Sequence, residues 1–185
     1  VNSLLKVDNT NLVTPSGKSL QLIVSGTTTF NSESELIVSN TELNIFSFDD
    51  INLSGSTLTV STGNAFIRTN ADLTLKSSTL SISSGNLSVN VALSMDITGS
   101  DITASGGSFY LNTGIDTIMD ADSTLEVTGG DLYANIFGEA ILGGEVYMEN
   151  LFAVYVQGNF TLTETGALDA LIIYLSSGLN IAIDG

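Results

Sequence analysis

Carboxylates form the only plausible catalytic or metal-binding clusters in this sequence, because its 185 residues include no Cys and no His. They gather locally as Asp49/Asp50, Asp96/Asp101, Asp116/Asp120/Asp122 and Glu145/Glu149. A pair of carboxylic groups can act as acid and base, or as acid and nucleophile, on a glycosidic bond. A lyase working on an acidic sugar would also need a cationic base, and Arg68 and Lys76 are the candidates near the middle of the chain. The plainer reading is that these acids are solvated turn residues, and on that reading the chain is not an enzyme. Asp116, Asp120 and Asp122 share one short segment, 113–122, and an all-oxygen acidic set suits calcium, a hard cation. The segment lacks both the Gly-rich nonapeptide of calcium-binding solenoids and the helix–loop–helix calcium signature. Calcium on these three residues is therefore the one cofactor candidate.

The charge balance narrows the partners. Twenty acidic residues stand against four basic ones, a net charge of -16. The cations are Lys6, Lys18, Arg68 and Lys76, and none follows Lys76. Phosphate recognition needs a basic surface, so nucleic acid is excluded as a partner, and anionic membranes are poor partners for the same reason. No apolar run approaches the length of a membrane-spanning helix, so no membrane insertion is expected. Without Cys there are no disulfides, and without His there is no conventional triad or imidazole switch.

The elements that must position any site repeat with a period of about 22 residues. Short alternating segments recur roughly every seven residues, as in Leu36/Val38, Leu43/Ile45, Ile51/Leu53 and Leu58/Val60. Every third segment returns to register. One series runs Leu36, Leu58, Leu80, Ile102, Leu125; a second Leu20, Leu43, Phe66, Leu87, Phe109, Leu132; a third Phe30, Leu53, Leu75, Ile97, Ile118, Ile141. Between the first two series lies a turn column, Gly17, Asn40, Gly63, Gly85, Gly107 and Gly130. Gly and Asn are the residues that enter a left-handed backbone most cheaply.

Three short strands and three tight corners per period make a triangular rung, and rungs stack as parallel strands about 4.8 Å apart. The expected fold is all-β, a parallel β-helix (β-solenoid) of roughly eight rungs forming one domain over 1–185. Parallel crossovers generally turn to the right, so a right-handed coil is expected. An antiparallel sandwich would not need a 22-residue register, and the chain has little two-residue hairpin chemistry. The regular rungs run from about 12 to 142. From 143 to 185 the register blurs and the chain becomes more apolar and aromatic, so either the rungs change length or some strands are buried on both faces, which would mean an interface.

Both terminal segments read as strands and not as caps. An uncapped solenoid end invites a further rung, and head-to-tail stacking of copies does not close, so it propagates as a filament. Leu4, Leu5 and Val7 at one end, and Leu179, Ile181 and Ile183 at the other, would continue the core ladders across such a junction.

The recurring Gly-x-Leu-x-Val/Ile style, as in Ser84-Gly85-Asn86-Leu87-Ser88-Val89 and Ser177-Gly178-Leu179-Asn180-Ile181, resembles bacterial surface solenoids of the autotransporter-passenger and filamentous-haemagglutinin type. That resemblance implies secretion to the cell surface, a rigid rod, and self-association or adhesion, with no catalytic residues to carry over. The chain is also similar to the bactofilins, solenoids that polymerise end to end, but has a longer rung and a cation-poor surface rich in Ser, Thr and Asn. The expected function is an extracellular structural subunit that partners itself in a fibre. The alternative is an adhesin stalk or carbohydrate-binding fragment that meets surface glycans; a polysaccharide lyase or hydrolase ranks behind both.

Overall fold

The computed structural model describes residues 5–8, 10–15 and 17–184. Among them every regular element is a β-strand, and all strand pairings are parallel. The chain coils as a β-solenoid of about eight turns of about 22 residues. Three columns of strands form its faces. Face A starts with Leu5–Asp8 and Thr28–Asn31 and ends with Phe160–Leu162 and Ile181–Ile183. Face B starts with Asn11–Val13 and Glu35–Val38, and face C with Leu20–Val24 and Leu43–Ser47.

The core is a set of apolar ladders, one residue per rung. On face B, Leu36, Leu58, Leu80, Ile102 and Leu125 stack in register and are all buried, as the period predicts. Burying one such side chain contributes roughly 1.5–3 kcal/mol, so the repeat itself is the source of stability. The other two ladders differ from expectation by one residue at three places. On face C the core position is Ala65, paired with Leu43 and Leu87, and Phe66 points outward, 40% exposed. On face A the ladder runs through Met119 and Leu142, which leaves Ile118 and Ile141 on the outer surface. A strand alternates faces at every residue, so a slip of one exchanges inside for outside. At Ala65 the smaller neighbour faces inward, while at Met119 and Leu142 two apolar neighbours of similar size compete and the second is the inward one.

Polar ladders hold the corners. Ser34, Ser56, Ser78, Ser100 and Ser123 are buried at the A–B corner. The backbone N–H of Ser56 donates to Ser78 Oγ (3.2 Å), Ser78 N–H to Ser100 Oγ (3.0 Å), and Ser100 N–H to Ser123 Oγ (3.2 Å). Corner amides that would otherwise be buried without partners are thus satisfied by the next rung. The B–C corner carries the predicted column: φ is positive at Gly17, Asn40, Gly63 and Gly85. Gly107 is required by close approach instead, since a Cβ there would lie 2.3 Å from the Gly85 carbonyl oxygen. In the next rung the positive φ falls on Gly129 rather than Gly130.

Beyond residue 143 the rungs change length. Thr124 pairs with Glu145, Leu132 with Phe152 and Ala140 with Phe160, steps of 21, 20 and 20 residues. The B–C corner straightens, so faces B and C share single long strands, Glu145–Val156 and Ala167–Ser177. Leu171, Ile172 and Tyr174 on the last long strand are exposed on the single chain.

Candidate functional site

The acids do not assemble into a centre. Asp116 and Asp120 flank the strand Thr117–Met119, so they stand at opposite ends of face A and on different corners. Among the described residues no group of three potential ligands could hold a metal, which corrects the expected calcium site at Asp116, Asp120 and Asp122. The segment is contiguous in sequence, but an extended strand separates its ends by about 3.3 Å per residue.

What the acids do is staple rungs. Asp50 Oδ1 accepts the N–H of Asp72 (3.2 Å), Asp72 Oδ1 that of Ser94 (2.8 Å), and Asp116 Oδ1 that of Glu139 (2.7 Å). The column continues as Asn159 Nδ2 donates to Glu139 Oε1 and Asn180 Nδ2 to Asn159 Oδ1. At the A–B corner Asp120 accepts from Gly99 N–H (3.0 Å) and from the Ser123 hydroxyl. Desolvation pushes the Asp120 carboxyl upward, but the hydrogen bonds from Ser123, Gly99 and Asp122 outweigh it and hold the group below the ordinary Asp value. Asp122 is exposed.

The remaining catalytic candidates also stay apart. Asp96 is an outward residue of face A and Asp101 one of face B. Arg68 lies on face C and Lys76 on face A, so no face combines the two cations. Arg68 sits over the Phe46 ring, 5.2 Å from its centroid.

The proposed stacking residues divide. Leu4 lies outside the described residues. Leu5 is half-buried and Val7 is buried in the core. Ile181 and Ile183 occupy inward register positions, opposite Phe160 and Leu162, yet are 49% and 67% exposed. Leu179 belongs to the bend before that strand and is exposed. Ile173, in register with buried Phe152, is likewise 51% exposed. Together these isoleucines present an apolar cross-section at the last rung, next to a parallel strand edge.

A second surface went unread in the sequence. The outward residues of face C form two rows along the rod. One row is Gln21, Asn44, Phe66, Ser88, Tyr110, Tyr133, Ala153 and Tyr174. The other is Ile23, Phe46, Arg68, Asn90, Asn112, Asn135, Tyr155 and Ser176. Neither row holds a carboxylate, whereas faces A and B carry outward Asp8, Glu35, Asp96, Asp101, Glu126, Glu145 and Asp169. Tyr110 and Tyr133 stack with centroids 5.5 Å apart and planes 10° from parallel. Asn112 Nδ2 donates to Asn90 Oδ1 and Asn135 Nδ2 to Asn112 Oδ1, both at 3.0 Å. The signal was present: these residues stand one and three places after each inward start of the face C ladder.

The fold and surface define a three-faced parallel β-solenoid with stapled corners and one aromatic, amide-rich face. No protein-family model matches the sequence, and no curated protein or solved structure matches it.

Proposed function

We propose that the chain is a structural module, a rigid solenoid rod that stacks end to end on further copies of itself to build a fibre outside the cell. The observation that carries this reading is the last rung. Ile173, Ile181 and Ile183 sit at core register positions and remain 51%, 49% and 67% exposed. A further rung laid on them would extend three apolar ladders and satisfy the open strand edge in one step, as strand addition does. At the opposite end Leu12, in register with buried Leu36, is exposed, so apolar ladder positions meet from both sides of the junction. Placement outside the cell is supported by the style of the repeat and by the carboxylate-rich, cation-poor surface.

Sedimentation velocity on the wild type and on an Ile181→Lys/Ile183→Lys variant tests the reading. The wild type is expected to form polymers whose size grows with concentration. The variant should sediment as a monomer with an unchanged far-ultraviolet spectrum, because both lysines can reach solvent from a rung end. Polymers of equal size from both proteins would refute end stacking.

A further inference from the structure

We propose that face C is a binding surface for a neutral polysaccharide, with one sugar ring seated in the notch above Ala153. This goes beyond the stacking reading and does not depend on it.

The notch follows from the register. Tyr133, Ala153 and Tyr174 succeed one another in adjacent rungs. They line a depression of about 220 Å³ together with Asn135 and Tyr155. The rungs bearing Tyr133 and Tyr174 are two steps apart along the rod, about 9.6 Å. Contact between carbon atoms takes about 3.5–4.0 Å on each side, which leaves space for a single ring layer where Ala153 has no long side chain. Tyr133 is stacked on Tyr110 through one ring face, so its other face is turned toward the Ala153 row. Its hydroxyl donates to Asp131 Oδ2 (2.9 Å), which fixes the ring and raises the phenol pKa. Fixed aromatic faces and amide edges are the chemistry that meets a pyranose, apolar on its C–H faces and hydroxylated around its rim.

The amides supply the rim contacts. A side-chain amide has two N–H donors and two acceptor lone pairs. Asn112 spends one of each on Asn135 and Asn90, so a donor and an acceptor remain for a ligand hydroxyl. A second groove, of about 390 Å³, runs past Arg68, Asn90 and Asn112 at the edge of the same face and continues onto the corner at Ala92, Gly114 and Phe137.

Charge selects the ligand. The molecule carries -16, so an anionic glycan is repelled by it as a whole. A cationic glycan is drawn to the carboxylates of faces A and B. Only a neutral chain matches a face whose two outward rows carry a single charge, Arg68, with the Asp131 carboxylate at its edge engaged by Tyr133. A second copy laid sideways on this face would bring two polyanions together and bury the spare amide groups, at about 1–3 kcal/mol for each group left unpaired.

The test is saturation-transfer NMR with cellohexaose, laminarihexaose, mannohexaose and maltohexaose, with hexagalacturonate as the acidic control, followed by calorimetric titration. At least one neutral hexaose is expected to bind, and hexagalacturonate more weakly. Ala153→Phe, which fills the notch, and Tyr174→Ala, which removes one wall, should each weaken binding at least tenfold. Tyr147→Ala, an outward tyrosine of face B, should leave it unchanged. Changing the floor and a wall separately keeps the test informative if one variant does not fold. The proposal is overturned by no transfer to any neutral hexaose, by affinity that survives both notch variants, or by tighter binding of hexagalacturonate. Lateral dimers of the wild type that Ala153→Phe abolishes would also overturn it, since face C would then be a self-interface.

Discussion

Replacing Gly85 with Ala probes how closely the rungs meet at the B–C corner. Gly85 has φ +112°, and an added Cβ would lie 2.2 Å from the carbonyl oxygen of Gly63 and 2.6 Å from its carbon. Normal contact requires the two rungs to part by about 1 Å at that point. Two hydrogen bonds cross the same gap: Gly63 N–H to Ser84 O and Asn86 N–H to Asn64 Oδ1, both 2.9 Å. Lengthening a 2.9 Å bond by that much removes it, at about 1 kcal/mol each. Forcing Ala into a positive φ adds about 1–2 kcal/mol. The expected loss is about 3–4 kcal/mol. Gly99→Ala is the matched control: φ is +53°, but the nearest atom to its Cβ is Ser77 Oγ at 3.8 Å, so only the backbone term applies. Urea titration followed by circular dichroism should show Gly85→Ala about 2 kcal/mol worse than Gly99→Ala. Hydrogen exchange should show faster opening at the Gly63 and Asn86 amides, because in a stacked repeat the damage is shared mainly with neighbouring rungs. Equal losses for the two variants would refute the close-approach argument.

Other predictions follow from the ladders and staples. Phe66→Ser should change stability by less than about 0.5 kcal/mol, whereas Ala65→Phe should cost about 3 kcal/mol by overpacking, both measured by urea titration. Leu80→Ala should cost about 3 kcal/mol or more, since Leu80 is fully buried between rungs. For Asp120 the folded pKa lies below the ordinary Asp value, so its stabilising effect is fully present above that ordinary value and is lost as pH falls through the folded pKa. The stability gap between wild type and Asp120→Asn should therefore be flat near neutral pH and shrink in acid. Millimolar calcium should shift Tm by less than about 1 °C, and a shift of several degrees would restore a shared site for Asp116, Asp120 and Asp122.

The fold was readable because the interior demands apolar residues at alternate positions of each face in every rung, and the ladder from Leu36 through Leu125 meets that demand without exception. The one-residue errors at Phe66, Ile118 and Ile141 share a cause. In each case two apolar residues stand side by side, Ala65/Phe66, Ile118/Met119 and Ile141/Leu142, so the apolar pattern alone does not say which of the pair faces inward. The serine column from Ser34 to Ser123 was not anticipated because it is polar and buried, a placement that only the corner amides explain. The stapling acids were mistaken for possible ligands because sequence neighbours are divided by a strand, while true neighbours lie 22 residues apart. Face C was missed because the repeat was followed through its apolar positions, and the outward parity, free of carboxylate, was left unread.

Negative-stain electron microscopy of the purified chain at neutral pH tests end-to-end stacking most directly. The account predicts unbranched filaments of uniform width with an axial repeat of about 40 Å, eight rungs at the parallel-strand spacing. Discrete rods of that length at every concentration would contradict it.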